Sequence, residues 1–220
     1  MEIFLNGNQI TQLEKLERAA LINSITGFKS LNLIGTMNKN GQTNLAVFNS
    51  VIHLGANPPL MGMIVRPDSV ERHTLSNIEE TGFFTVNHVN INVYKQAHQT
   101  SARYPGDQSE FDACGLTSSY KNQFSAPYVK ESSIQIGLSF AEKINIAING
   151  TIMVIGEIKQ LYFPKDAWCV DGYVDIEKAG TIACTGLDSY HVTKRIARLT
   201  YAKPDRIALE VDLKYKTTCE

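Results

Sequence analysis

Two hydrophobic periods share this sequence, and the two-residue period of strands takes the larger part. Thr11 to Thr26 carries the helical one. Thr11 offers an N-cap, Leu13, Leu16, Ala20 and Asn23 follow at helical spacing, and Gly27 ends the run. This predicts an amphipathic helix over 11–26 that covers one side of a sheet. From Leu31 the strand period leads into Asn38-Lys39-Asn40-Gly41, where Asn-Gly favours the positive φ angles of a hairpin. The next strand is predicted from Thr43 to Leu54. A third runs from Leu60 to Arg66, and its Leu-Met-Gly-Met-Ile-Val core suits burial on both faces. Thr74 as N-cap and Gly82 as C′ residue bound a helix of about two turns. Phe83 to Val89 then returns to strand.

Asn90 to Pro127 is less regular and more polar. It holds two short predicted helices, Asn92 to Gln99 and Ser109 to Ala113, the second closed by Gly115. Such an excursion between strands reads as an insertion lying over the mouth of a barrel, where function concentrates. Ile134 to Phe140 and Ile148 to Phe163 are predicted strands, with a turn at Asn149-Gly150 and another at Asp171-Gly172. Late in the chain, Arg198 to Ala202 and Arg206 to Tyr215 are expected to close or edge the sheet. With no repeat or linker, residues 1–220 read as one mainly β domain, a β-barrel with peripheral helices.

Composition narrows the function classes. A net charge of −1 and 43% apolar residues give no bulk electrostatic reason to expect nucleic acid or membrane as partner. No run of eighteen apolar residues and no signal segment occurs, so the expected location is the cytoplasm. Cys114, Cys169, Cys184 and Cys219 are scattered, and His53, His73, His88, His98 and His191 are dispersed, so no metal site is expected. There is no G-x-G, Walker loop, H-E-x-x-H or G-x-S-x-G.

One stretch carries candidate chemistry. Asn44 to Thr74 reads as apolar strands that run into Arg66, Ser69, Arg72, His73 and Thr74. A phosphate needs cationic forks and hydroxyl or backbone donors at short range, and a helix start adds unpaired N–H groups. The same residues also suit a solvated turn. An apolar ledge that ends in cations and hydroxyls points to a ligand with a flat ring at one end and a phosphate at the other, as in flavin mononucleotide (FMN).

The segments NLAVFNSV, NPPLMGMIVRP, RHTLSNIEETGFFTVN, SEFDACGL, APYVKES and GLDSYH, in this order and spacing, resemble the flavin reductase-like FMN-binding split-barrel family. The likeness runs from about Asn32 to Pro204, nearest the longer branch with an inserted segment such as HQTSARYPGDQSEF. The resemblance implies a Greek-key split barrel and a homodimer with FMN near the interface. It implies an FMN-dependent oxidoreductase taking hydride from NAD(P)H as co-substrate, with free flavin or a partner monooxygenase as acceptor. A non-catalytic FMN-binding or storage protein and a flavodoxin-like electron carrier stay open as alternatives. By position, Asn44, Ala46, Phe48, Asn49 and Ser50 would line the ring, with Phe48 equally suited to the core. Arg66, Ser69, Arg72, His73 and Thr74 would hold the phosphate, His73 standing where the family often has an acidic residue. Asn57-Pro58-Pro59 replaces the family's usual aspartate before two prolines. Tyr190 and His191 are the candidates near the flavin and its substrate, or else an interface tyrosine and an exposed histidine. Thr100 and Ser101 are further candidates in the insertion.

Overall fold

The computed structural model describes residues 1–67 and 73–216. The chain opens with α1 (Gly7–Gln12) and α2 (Lys15–Ile25), followed by β1 (Lys29–Ser30), β2 (Asn32–Met37), β3 (Thr43–Phe48), β4 (Val51–Ala56) and β5 (Pro59–Val65). Then come α3 (His73–Thr81), β6 (Phe83–His88), α4 (Tyr94–Gln99), α5 (Glu110–Cys114), β7 (Ser118–Ser119) and β8 (Tyr128–Val129). The long strands β9 (Gln135–Ile146) and β10 (Thr151–Tyr162) follow, and the short β11 (Ala183–Thr185) and β12 (Ser189–His191) come last.

Seven strands form one antiparallel sheet in the order β3-β2-β6-β9-β10-β5-β4. Its two edge strands, β3 and β4, are consecutive in the chain and separated only by Asn49 and Ser50. Laid flat, seven strands would put those edges about 29 Å apart at ~4.8 Å per step. Three Cα steps from Phe48 to Val51 span at most about 11 Å. The sheet therefore curls until its edges meet, and β3 and β4 share no ladder across the seam. The result is a barrel with one split side. Ser50 holds the seam by donating from Oγ to the Ile64 carbonyl on β5 at 2.9 Å, and Ser30 donates to Val51 at 2.8 Å.

Two cores share the barrel wall. Inside lie Ile34, Met63, Val65, Phe84, Val86, Ile136, Leu138, Ile152 and Val154. Outside, Leu31, Leu33 and Leu45 pack with Val93, Ala97, Phe111 and Leu116 of the insertion and with Ile182 and Cys184. Burial on both faces thus belongs to β2, with five of its six residues buried. The expectation of two-sided burial for Leu60 to Arg66 is corrected: the insertion covers β2, while β5 keeps only Gly62, Met63 and Val65 buried.

Other boundaries differ for identifiable reasons. The helix predicted over 11–26 is two helices, and its first N-cap is Asn6 rather than Thr11. Asn6 Oδ1 accepts from the Gln9 N–H at 3.0 Å and Gln9 returns the bond to the Asn6 N–H at 2.9 Å, a complete capping box. Neither helix buries a residue against the barrel, and Leu16 and Ile25 remain 82% and 74% exposed. The strand predicted from Thr43 to Leu54 breaks at the seam. Asn40-Gly41 does form the hairpin, with Gly41 at φ +82 and Asn38 Oδ1 accepting from the Asn40 and Gln42 N–H groups at 3.0 Å each. The insertion forms α4 and α5 as expected, and Gly115 closes α5 in the left-handed region. The strand expected to end at Phe140 continues to Ile146.

The two late strands predicted from Arg198 and Arg206 do not form. Among the described residues only single bridges appear there, Leu199 with Glu210, Lys203 with Arg206 and Cys169 with Tyr215. This tail is instead held by buried Asp175, which takes a two-pronged bond from Arg195 (3.1 and 3.2 Å) and one from the Tyr215 hydroxyl (2.7 Å). Arg195 foremost, with help from Tyr215 and the Lys178 N–H, holds the Asp175 carboxyl down at about 2.

Two outcomes follow from this packing. A Cβ added at Gly156 would lie 2.5 Å from Phe84 Cζ and 3.0 Å from Leu138 Cδ2, inside the filled barrel. Gly156→Ala should therefore cost about 1–3 kcal/mol of stability, read from chemical denaturation. Because the folded pKa of Asp175 is depressed, its contribution is complete above the unfolded value of 3.8 and fades as pH falls toward about 2. Hydrogen exchange in residues 192–216 should rise across that window, and Asp175→Asn should raise it already at neutral pH.

Candidate functional site

The split side opens into a cavity of about 670 Å³. Its floor is the exposed edge of the barrel. Asn44, Ala46 and Phe48 alternate along one face of β3, Asn49 and Ser50 form the seam, and Ile64, Val65 and Arg66 end β5. Its roof comes from the insertion, where His98, Thr100, Ser101, Ala102, Arg103 and Tyr104 follow α4. Leu187, Asp188 and Tyr190 of the β11–β12 hairpin close the remaining side.

Buried polar contacts fix the floor. The Asn44 amide donates to Thr74 Oγ1 at 3.1 Å and to Thr36 Oγ1 at 3.3 Å, and the Asn77 amide donates to the same Thr36 oxygen at 3.1 Å. Thr36 thus ties strand β3 to helix α3. Thr74 sits in the first turn of α3 rather than at the N-cap expected for it, since the helix already begins at His73. The loop residue Gly106 packs on the His73 ring, where an added Cβ would be 3.3 Å from Nε2. Its carbonyl also accepts from Gln42 Nε2 at 2.5 Å.

An edge strand leaves every second N–H without a ladder partner. On β3 the outward N–H of Leu45 is taken by the buried Glu110 carboxylate at 2.9 Å. By alternation, the next outward backbone donor belongs to Val47, which lines the cavity. Arg66 and Arg103 bring positive charge to the same space, and among the described residues neither has a carboxylate within ion-pair distance.

The roof is tied down by hydrogen bonds and rings. Thr43 and Ser109 share a hydroxyl hydrogen bond at 2.7 Å. His98 Nδ1 lies 2.5 Å from the Tyr190 hydroxyl, and the Tyr190 ring stands between His98 (5.8 Å) and Tyr94 (5.5 Å). Burial, then the neighbouring Cys184 and Asp188, pushes the Tyr190 phenol up from its ordinary value. Asn49 Nδ2 donates to the Gly186 carbonyl at 3.1 Å, so the seam and the hairpin are joined directly.

Of the residues singled out in the sequence, Asn44, Ala46, Phe48, Asn49, Ser50, Arg66, His73, Thr74, Thr100, Ser101 and Tyr190 line this one cavity. Ser69 and Arg72 lie outside the described residues. Phe48 both lines the cavity and packs against the inner core. His191 does not line it: its ring meets Phe28 edge-on at 5.0 Å and its Nε2 bonds the Thr185 and Ser189 hydroxyls. Sequence reasoning passed over His98, Arg103, Tyr104, Glu110 and Asp188. Only the polar excursion between strands hinted at the first four.

The sequence pattern of the flavin reductase-like domain matches residues 28–176. The chain belongs to the flavin reductase-like family. A crystal structure from Shewanella frigidimarina NCIMB 400, of a protein assigned as a flavin reductase with a split barrel domain, matches with a TM-score of 0.88 at 51% identity, covering 91% of this chain and 100% of that one. Component B of nitrilotriacetate monooxygenase from Bacillus cereus matches with a TM-score of 0.79 at 20% identity, covering 90% and 99%. That second likeness speaks to the fold alone. An uncharacterized protein of Aquifex aeolicus is 28% identical over 108 residues, 48% of this chain and 55% of its own length, so the chain spans about half of that relative. The architecture of this flavin reductase-like protein is the split β-barrel with peripheral helices.

Thr36 is the member of the floor whose loss is simplest to read. Thr36→Val should leave the buried Asn77 amide without this acceptor, reduce Asn44 to its bond with Thr74, and lower stability by about 1–3 kcal/mol in chemical denaturation.

Proposed function

We propose that the cavity holds FMN and that the protein is an oxidoreductase of flavin reductase type, with NADH or NADPH as hydride donor. One observation carries this reading: the cavity joins an unpaired strand edge to a cationic corner. The ring of a flavin has a polar pyrimidine edge that needs backbone-like partners, and its ribityl phosphate needs cations and hydroxyls. The outward N–H at Val47 and the amide of Asn49 fit the first need, and Arg66, His73 and Thr74 fit the second. Bound there, the flavin would supply the two-electron chemistry that no side chain of this site provides.

The chain's own share is binding, orientation and exclusion of water. Phe48 and Ala46 give the ring an apolar rest, and Asn44 is locked against Thr74 so that the phosphate end cannot drift. Ser69 and Arg72 belong to the same proposed phosphate grip. The roof residues Thr100 to Tyr104 screen the ring from bulk water, which strengthens every polar contact beneath them. Tyr190 packs beside the ring position, while His191 faces Phe28 and takes no part in this reading.

Assembly and partners belong to the same proposal. Exposed apolar residues on α2 and the tail, among them Leu16, Ile25, Ile196 and Tyr201, suit a homodimer that brings the cavity close to a second protomer. Free flavin or a partner monooxygenase is the acceptor we favour. No described helix is long and apolar enough to cross a membrane, and we place the protein in the cytoplasm.

Purified protein should carry or take up FMN, and anaerobic NADH or NADPH should bleach its absorbance. Arg66→Ala should weaken FMN binding about ten- to hundredfold in titration, the worth of one charge-assisted bond. A colourless protein that ignores added FMN would refute the reading. Bound flavin left unbleached by either nicotinamide would favour storage or electron carriage instead.

A further inference from the structure

His98 and Tyr190 come from different parts of the fold, the end of insertion helix α4 and the late strand β12. They meet on the cavity wall with imidazole Nδ1 2.5 Å from the phenol oxygen. Tyr190 is steadied on its other side by Tyr94, and the hairpin that carries it is tied to the seam through Gly186. The phenol is therefore placed with little freedom to turn elsewhere. The direction of its hydrogen bond is then decided by the imidazole.

A phenol has one donor and two acceptor positions, and imidazole Nδ1 accepts when the ring is neutral but donates when it is protonated. We propose that His98 and Tyr190 form a donor–acceptor switch on the cavity wall. With His98 neutral, the Tyr190 hydroxyl donates to Nδ1 and offers a ligand only acceptor lone pairs. With His98 protonated, Nδ1 donates to the phenol oxygen and the freed O–H donates into the cavity. The pair thereby selects which edge of a ring ligand sits beside it. A carbonyl or carboxylate edge is favoured in acid, and an amine, amide N–H or hydroxyl edge is favoured in base.

Other titratable and charged groups stand around the pair. Toward Tyr190 from the hairpin side stand Asp188 and Cys184, the latter with its thiol pushed up by burial. From α4 come Tyr94 and Lys95, whose ammonium lies 6.0 Å from the Tyr94 ring. Arg103 and Tyr104 follow in the roof. Carboxylates, phenols, thiols raised by burial, lysine and arginine change charge well away from neutrality, whereas histidine is the side chain whose charge changes between about pH 5 and 8. His73 lines the same cavity beside Gly106, at the opposite, phosphate-holding end, and His191 is engaged with Thr185 and Ser189.

This inference deepens the proposed function in one respect, since it takes the same cavity as the ligand site. Its test does not depend on a flavin. Protein labelled with 13Cζ-tyrosine and 15N-histidine is titrated by NMR, with Tyr190 assigned from Tyr190→Phe and His98 from His98→Gln. Above its midpoint His98 should show the tautomer protonated at Nε2, and the Tyr190 13Cζ signal should step at the His98 midpoint. His98→Gln and His98→Phe should abolish that step. Binding of two neutral probes should then cross: acetophenone about three- to tenfold tighter below the midpoint, aniline correspondingly tighter above it, with both slopes flat in Tyr190→Phe. A Tyr190 signal without a step at the His98 midpoint, a step that survives His98→Gln, or two probes with the same pH slope would each overturn the switch. A yellow, reducible protein without the step would leave the function and remove the switch. A colourless protein that shows the step and the crossing would do the reverse.

Discussion

Two residues between β3 and β4 decide most of this molecule. Because Asn49 and Ser50 must join opposite edges of a seven-stranded sheet, the sheet cannot lie open. The two edges nonetheless share no ladder, β3 pairing with β2 and β4 with β5. What remains is a slot bordered by an unpaired strand edge. A free edge is a hazard in an ordinary sheet, but here it turns backbone groups of β3 toward the cavity. Inside the barrel Phe84 and Leu138 close on Gly156, which leaves no room for a Cβ.

The insertion and the late hairpin gain their meaning from that slot. Residues 90–127 bury Val93, Ala97 and Phe111 against the outer face of β2 and so acquire a second core of their own. That burial is what allows a polar loop, from Thr100 to Tyr104, to be held over the opening. The β11–β12 hairpin reaches the same place from the far end of the chain and meets α4 through one histidine and one tyrosine. Three distant parts of the sequence thereby line a single cavity.

Local chemistry was legible in the sequence and global closure was not. Asn40-Gly41, Gly82 and Gly115 announced a hairpin and two helix ends because a positive φ is a local demand. The floor residues Asn44, Ala46, Phe48, Asn49 and Ser50 came from the family likeness, position by position, and they line the cavity. The break at Asn49 has no strong local signal, because apolar residues resume at Val51 after only two polar positions, and only the closure of the barrel forbids a continuous ladder. The segments from Arg198 to Ala202 and from Arg206 to Tyr215 read as strands, yet they meet each other only through single bridges, and the tail is fastened at its two ends, Arg195 and Tyr215, through Asp175. The three-residue strands β11 and β12 are too short to leave a period at all. Asn6 and Gln9 did spell a capping box, but the helical stripe beginning at Leu13 drew the eye downstream of it.

The carboxylate of Glu110, placed on the Leu45 N–H, has a consequence for solubility. An uncovered β3 would present a short, twisted template to any strand of another molecule, and the barrel could lengthen into a chain of barrels joined edge to edge. A buried negative charge at that register makes such docking unfavourable, because an incoming strand would have to displace a charge-assisted bond and leave the carboxylate without water. The roof of the cavity therefore also acts as a guard against self-association.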